Sequence, residues 1–466
     1  MSRIWAVARQ MISEGLRMRI ALFFLAVLAL LMTGAYWIRG DNTQVGAVKA
    51  FLSYSLTAVT VVLSLLTLFQ SRSLSDELSG RQIFLLMTKP LPRWQYMVGK
   101  WLGIVVLNAC FLAIAGGVIY GTTLYLAGRG SDLEGDAEQV RSEVLVARHS
   151  TPFIVPDFAP QADRLFEQRR EEGAYFGEQD LDENAAKDEI RQNMEQRWRS
   201  VMPNEQRRFE FAGLRFQDHP DLKIQIRYFA SAYGVPADEI IRSVWYVGNP
   251  DKGTELYEFP LRHVVNRYQV IEVRADSVAK DGTLTVHVLN RNPYPNEPQF
   301  NTVMTFEATN GIEVLFVVGG FGGNLSRLLL LILCRLMFLA ALGLLTTSVF
   351  SFPVAALVSL TVYTLAESRV FLDEAFEFFQ DSGLPPGLDA VVTFAVQGVF
   401  TLLKGLYTLI PDFAQYNAVE LLIDGRNVTL MWVLAGVLWV VIVRTGIVLL
   451  AACLLFQRRE VAEVSV

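Results

Sequence analysis

Apolar residues in this chain are gathered into long runs, and the runs are of membrane-crossing length. A helix rises about 1.5 Å per residue, so a hydrocarbon core of about 30 Å needs about 20 mainly apolar residues. Five stretches meet that length: 20–38, 48–69, 101–127, 325–350 and 430–456, the last two interrupted by Arg335 and Arg444. A sixth, 352–366, is shorter. Trp37, Trp101, Tyr120, Tyr125, Trp432 and Trp439 supply aromatic rings, several near run ends, where they anchor at headgroup level. The pattern predicts six spans. Residues 390–410 are long enough for a seventh, but Gln397, Gly398 and Lys404 interrupt them and Pro411 ends them. They read as a re-entrant or interfacial part of an outer segment at about 369–425. The competing assignment lets 390–410 span in place of 352–366.

Between the third and fourth runs lies a polar insert of about 195 residues, too long for a loop without its own core. Residues 132–201 are rich in Glu, Gln, Arg and Ala and read as surface helices. From 208 onward the pattern turns to short alternating runs at 223–229, 268–274, 284–289 and 302–307. Turn signals separate them: Asn249-Pro250-Asp251, Asp281-Gly282 and Asn310-Gly311. This predicts a β-sandwich over about 208–318, followed by a flexible joint at Gly319, Gly320, Gly322 and Gly323. The expected organisation is a membrane all-α six-helix bundle (1–127 and 325–466) with an inserted extracytoplasmic α+β domain (128–324).

Composition fits that division. Of 466 residues, 52% are apolar and the mean hydropathy is +0.32, too high for a soluble chain of this size. The insert carries 22 Lys/Arg against 32 Asp/Glu, while the rest of the chain has a basic excess. An acidic exported middle and basic cytoplasmic loops produce such a split, and it argues against a nucleic-acid partner. Arg72, Arg81, Lys89, Arg93 and Lys100 fall between the second and third runs, and Arg458 and Arg459 follow the last, so both termini are expected in the cytoplasm. Thr33 to Trp37 make a poor cleavage site, so the first run reads as an uncleaved anchor. Cys110, Cys334 and Cys453 lie inside apolar runs and read as packing residues.

Catalytic and metal signals are weak. The phosphate-loop pattern does not occur: Gly99-Lys100 is followed by Trp101, and Trp94 stands where the first Gly belongs. His149, His219, His263 and His287 are scattered through the insert without ligand spacing. Asp276 and Asp281, near Asn290 and Asn292, have oxygen ligands for calcium, but turn chemistry accounts for them. Arg335 and Arg444 are the intramembrane charged candidates, read against the plain alternative of long stems reaching for water from a helix end or a neighbouring helix. No catalytic, cofactor or metal residue is assigned.

The informative stretch is 72–100, RSLSDELSGRQIFLLMTKPLPRWQYMVGK. Asp76 and Glu77 precede Arg81, an apolar group containing Leu85 and Leu86 follows, and Lys89 and Pro90 lead to Pro92 and Arg93. This predicts a short amphipathic helix over about 72–93 that lies along the membrane face. Its apolar residues suit a groove on a partner, with Asp76, Glu77, Lys89 and Arg93 at the rim. The alternative is a helix resting on headgroups.

An acidic residue, Leu-Leu, Pro-x-x-Arg and then Gly-Lys opening a span, here Glu77, Leu85, Leu86, Pro90, Arg93, Gly99 and Lys100, resemble the ABC-2 type transporter permease family. The span order, the turn at Ser351, Phe352 and Pro353, and the ending at 454–460 add to the likeness, which covers the membrane parts. The resemblance implies a non-enzymatic bacterial inner-membrane exporter subunit. A separate ABC ATPase subunit binds the ATP, two permeases pair as a homodimer or heterodimer, and the 72–93 helix transmits ATPase closure. It further implies an unidentified lipid, glycan or similar amphiphile as cargo, or else mechanotransmission to the outer domain. A membrane-anchored envelope-binding module is a further reading. Leu78-Ser79-Gly80-Arg81 stands where the family has an Arg-rich spacer, and the large insert resembles a variant group with an outer sandwich domain.

Overall fold

The computed structural model describes residues 3–17, 43–80, 92–129, 136–173, 183–214, 223–233, 240–292, 302–308, 311–369, 371–373 and 410–458, with a few isolated positions between them. These form two compact units, Met1–Ala147 with Gly319–Val466, and Arg148–Val318.

The first unit is helical. Helix α1 (Arg3–Arg17) buries Val7, Ala8, Met11 and Gly15, a spacing that repeats with the helical turn. Helix α2 (Gln44–Gln70) starts at Thr43, whose hydroxyl accepts the Gly46 amide at 3.0 Å. It ends at Ser71, and the eight-residue helix α3 (Arg72–Ser79) follows at once. Helix α4 (Arg93–Ala127) opens after Pro92, which cannot donate to a preceding turn. Its 35 residues extend about 52 Å, well beyond a hydrocarbon core.

Four helices among the described residues are long and apolar enough to cross a membrane: Gln44–Ser79, Arg93–Ala127, Phe321–Val349 and Leu430–Arg458. Phe352–Glu367 is a shorter apolar helix. They match five of the six expected runs. The remaining run, 20–38, and the stretch 390–410 lie mostly outside the described residues, so the described helices do not give a count of six. Helix Leu430–Arg458 changes hydrogen-bond spacing midway, where Val437–Thr445 is π-helical and the Thr445 hydroxyl reaches the Val440 carbonyl at 2.8 Å.

The second unit is a sandwich with added helices. Strands β1 (Val146–Pro152), β2 (Ser200–Val201), β4 (Lys223–Tyr233), β7 (Tyr268–Arg274), β9 (Val303–Phe306) and β10 (Ile312–Gly320) form one sheet, in which β4 is the hub. Strands β3 (Gln206–Phe211), β5 (Ile240–Val247), β6 (Tyr257–Val264) and β8 (Leu284–Asn290) form the other, in the order β3-β8-β5-β6. Ile226 stands opposite both Ile271 and Val314, so the inward rows of three strands coincide. Side chains from both sheets share one core, where fully buried Trp245 lies 4.3 Å from the Tyr228 ring and 5.9 Å from Phe306.

Two expectations change here. Residues 132–201 are not one helical arm, because β1 precedes helices α5 (Ala159–Glu171) and α6 (Glu183–Arg199). Those helices pair through Ala162, Phe166 and Ile190. The glycines expected as a flexible joint lie in regular structure: Gly319 and Gly320 finish β10, and Gly322 and Gly323 sit in the first turn of helix α7 (Phe321–Val349). A Cβ on Gly322 would lie 3.3 Å from the Tyr120 ring, so that glycine serves close packing.

A candidate coupling site at one end of the helical unit

Lys100 sits two turns into α4, at the head of its apolar run, and is 1% exposed, a costly position for an ammonium unless partners surround it. They do. Its Nζ donates to Glu77 Oε1 at 2.7 Å and to Ser73 Oγ at 2.6 Å, and lies 3.6 Å from Glu14 Oε2 and 3.9 Å from Met11 Sδ. The other Glu77 oxygen accepts the Tyr96 hydroxyl, and Ser73 Oγ donates to Glu14 Oε2 at 2.9 Å. Glu77 itself is 5% exposed. One buried knot therefore joins α1, α3 and α4.

Two further contacts extend the knot. Arg93 Nη1 donates to the carbonyls of Gln457 at 2.8 Å and Phe456 at 3.4 Å, placing a cation at the C-terminal end of helix α9 (Leu430–Arg458). Tyr96 stacks on Phe456 with ring centroids 5.9 Å apart. Around these lie buried Leu74, Met97, Ile104, Leu344, Ala452 and Cys453, so the polar centre has an apolar jacket.

Helix α1 can approach α4 this closely because α4 offers glycines one turn apart. A Cβ on Gly99 would stand 2.7 Å from Val7 Cβ, and one on Gly103 would stand 2.7 Å from Met11 Cβ and 2.8 Å from the Ala8 carbonyl oxygen. Small residues at i and i+4 give the groove in which α1 lies.

The sequence candidates are distributed as follows. Asp76 is exposed and pairs with Arg72 at 3.3 Å. Glu77, expected at the rim of a docking helix, points inward to Lys100 and Tyr96. Arg93 is engaged with the end of α9. Arg81, Leu85, Leu86, Lys89 and Pro90 lie outside the described residues, as does most of the expected 72–93 helix beyond α3. Sequence reasoning used Lys100 only as one of the cations between the second and third runs and as part of the Gly-Lys motif, and gave no role to Glu14, Ser73 or Tyr96. The usable signal was Lys100 itself, an ionisable residue at the head of an apolar run, with Gly99 and Gly103 spaced for a close helix neighbour.

Arg335 and Arg444 occupy a separate place. Arg335 is 9% exposed, forms an ion pair with Glu367 at the end of helix α8 (Phe352–Glu367), donates to the Phe413 carbonyl at 3.2 Å and lies 4.8 Å from the Phe413 ring. A cavity of about 20 Å³ adjoins it, room for one water among Arg335, Thr60, Tyr416 and Asn417. Arg444, half-buried in the π-helical stretch, donates to the Ile410 carbonyl at 3.0 Å, and Arg369 reaches the same oxygen at 2.6 Å. Arg335 thus has a neighbouring helix as partner.

The β unit brings together no group of three potential metal-binding side chains among the described residues. Asp281 accepts from Lys252 and Thr283, which hold its carboxyl down at about 2. Asp276 is used by Tyr257 and Arg274. Asn290 and Asn292 bond to each other and to neighbouring backbone. His263 is buried against the Tyr228 hydroxyl, and burial pushes its pKa down to about 4. His287 is lowered by burial, and His149 packs edge-on against Phe316. His219 lies outside the described residues.

These features define a helical membrane protein with an inserted β domain and a buried ionic knot at one end of its helices. No family model matches the chain. It is similar to the probable ABC transporter permease protein NosY of Stutzerimonas stutzeri, 31% identical over 109 residues, which are 22% of this chain and 39% of that protein. The protein of the same name from Pseudomonas aeruginosa is 30% identical over 125 residues, 26% of this chain and 43% of its own length. The chain spans less than half the length of either relative it matches.

Proposed function

We propose that this chain is the membrane-spanning permease subunit of an ABC system of the ABC-2 type, working with a separate ATPase subunit that binds and hydrolyses ATP. The similarity to two ABC transporter permeases supports the class. The observation that carries the mechanism is the Glu14–Ser73–Lys100–Glu77–Tyr96 knot. A force on α3 and the segment after it meets a rigid junction with α1 and α4, and Arg93 carries it onward to α9. Interfaces and packed cores of this kind respond by switching between packings, which suits transmission from an ATPase to the spans. Two permeases, as a homodimer or heterodimer, complete the assembly in a bacterial inner membrane with both termini in the cytoplasm. The cargo is a lipid, glycan or similar amphiphile leaving the cytoplasm.

A second reading rests on the β unit, which has its own two-sheet core and is large for a connecting loop. In it the ATPase drives the outer domain to act on an envelope partner without transport. The test is co-purification of an ATPase with the tagged chain from its native host, followed by reconstitution in liposomes. ATP-dependent movement of a labelled lipid or glycan supports export. Domain rearrangement without flux supports the second reading. Absence of any ATPase partner overturns both.

A further inference from the structure

Resting on the reading above that the β unit works in the envelope, we propose that a row of three arginines on the outward face of its second sheet binds an anionic glycan, a chain of sugars bearing carboxylate or phosphate groups. The row comes from strand register. Arg242 of β5 stands directly opposite Arg262 of β6. On its other side the Arg291 amide, one residue past β8, donates to the Arg242 carbonyl at 2.9 Å. Ser243, His263 and Asn290, each the sequence neighbour of one of these arginines, are buried, so all three arginines take the opposite, outer face. Arg262 and Arg291 are exposed and Arg242 is half-buried. The Asn292 side chain accepts the Arg242 amide at 2.7 Å and donates to its carbonyl at 2.8 Å, which fixes the backbone at the centre of the row.

Like charges directly opposite on neighbouring strands destabilise a sheet. Here three stand side by side, in an insert with 22 Lys/Arg against 32 Asp/Glu. Neither Arg262 nor Arg291 has an ion-pair partner among the described residues. A bound polyanion offsets the repulsion, and guanidinium forks suit carboxylate and phosphate oxygens alike. Neighbouring strands lie about 4.8 Å apart, so the outer two arginines start about 10 Å from each other and a linear chain lying across the strands meets all three. Beside the row, Val244 stands between Leu289 and Pro260, a low apolar strip that suits the carbon face of a sugar ring. An anionic membrane fits less well. Glu258, four residues and about 13 Å along β6 from Arg262, and Glu210 of β3 lie on the same outer face, where a flat bilayer would press its headgroups against both. A single glycan strand along the row does not meet them.

The full chain, purified in a non-ionic detergent, tests this by fluorescence polarisation with labelled oligogalacturonate as the carboxylate probe and a phosphomannan fragment as the phosphate probe. Binding of at least one is expected, weakened by added salt and competed by inorganic phosphate but not by neutral dextran. Failure of both probes overturns the proposal. Charge reversal at both Arg262→Glu and Arg291→Glu is expected to weaken binding by at least about tenfold. The same change of charge on α5, Arg164→Glu with Arg169→Glu, both exposed, is expected to leave it unchanged. Equal loss in the two variants assigns the binding to overall charge and overturns the row. Arg262→Gln, which relieves repulsion, is expected to weaken binding about threefold without lowering the urea midpoint, so lost binding is separated from lost folding. Tighter binding of polyglutamate than of either glycan makes the occupant an acidic protein, and binding of phosphatidylglycerol vesicles alone makes it lipid. Either result overturns the proposal. The reading beneath it has its own measure, a single cysteine at Asp251→Cys with Cys110, Cys334 and Cys453 changed to Ser. Labelling by a membrane-impermeant maleimide before the inner membrane is opened supports envelope placement, and labelling only after lysis overturns that reading even where the purified row binds glycan.

Discussion

Lys100 Nζ and Glu77 Oε1 lie 2.7 Å apart with both side chains at most 6% exposed, although 23 residues separate them in the chain. A buried pair of this kind is conditional. With both members present the charges compensate, and with one removed the other is stranded. Lys100→Met or Glu77→Gln alone should destabilise the helical unit by about 3–5 kcal/mol, and the double variant by clearly less. Thermal unfolding of the detergent-purified protein measures this. Additive losses from the two single changes would contradict the pairing.

The seam between α1 and α4 gives a steric prediction. Gly103→Val has no room, since even a Cβ would meet Met11 Cβ at 2.7 Å and the Ala8 carbonyl at 2.8 Å. Separation of α1 from α4 is expected, with a cost of about 1–3 kcal/mol. Trypsin should then cut faster after Arg9 and Arg17. Gly117→Val, on the same helix with open space at its Cβ, should leave the cutting rate unchanged.

Much of the helical unit was legible because membrane spans announce themselves by length. The runs at 48–69 and 101–127 correspond to Gln44–Gln70 and Arg93–Ala127. The strand at 268–274 was read to the residue, and 223–229 and 284–289 fall inside β4 and β8. β1 was hidden because its sequence, VARHSTP, shows little apolar alternation. Its strand form comes from pairing with β10, far along the chain.

The direction of Glu77 was not legible for a related reason. In α3 the buried residues are Ser73, Leu74, Ser75 and Glu77, so hydropathy alone points the wrong face inward. Only Glu14, Tyr96 and Lys100, supplied by two other helices, make that face the interior. The glycines at 319–323 misled in the opposite way. Flexibility is their usual meaning, but here regular structure claims them.

His263 makes the β unit pH-sensitive. The imidazole is buried with its folded pKa near 4, below the unfolded value of 6.5. Between those values the unfolded chain binds the proton and the folded chain does not. The stability contributed by the neutral form is complete above pH 6.5 and is lost progressively as pH falls to 4, up to about 3 kcal/mol. Urea unfolding followed by tryptophan fluorescence at pH 7.5 and 4.5 should show the loss, and His263→Gln should flatten it. An equal slope in the variant would assign the acid sensitivity elsewhere.

Arg335 lies 14 residues before the end of α7, and Glu367 lies 15 residues beyond the start of α8, so the turn between the helices sets the two charges level. At about 1.5 Å per residue they stand about 21–23 Å from that turn, still within the depth of a hydrocarbon core. Helix α8 is shorter than the four helices of crossing length, and the ion pair fastens its far end to one of them. A guanidinium suits the task because its fixed fork serves the Glu367 carboxylate and the Phe413 carbonyl together while its plane meets the Phe413 ring. Arg335→Lys keeps the charge and leaves the carbonyl and the ring contact unserved, so a loss of about 1–2 kcal/mol is expected. Arg335→Leu strands Glu367 and should cost more, about 3–5 kcal/mol, with recovery on adding Glu367→Leu. Thermal unfolding of the four proteins orders these effects. A lysine variant as unstable as the leucine variant would show that geometry, and not charge, holds α8 in place.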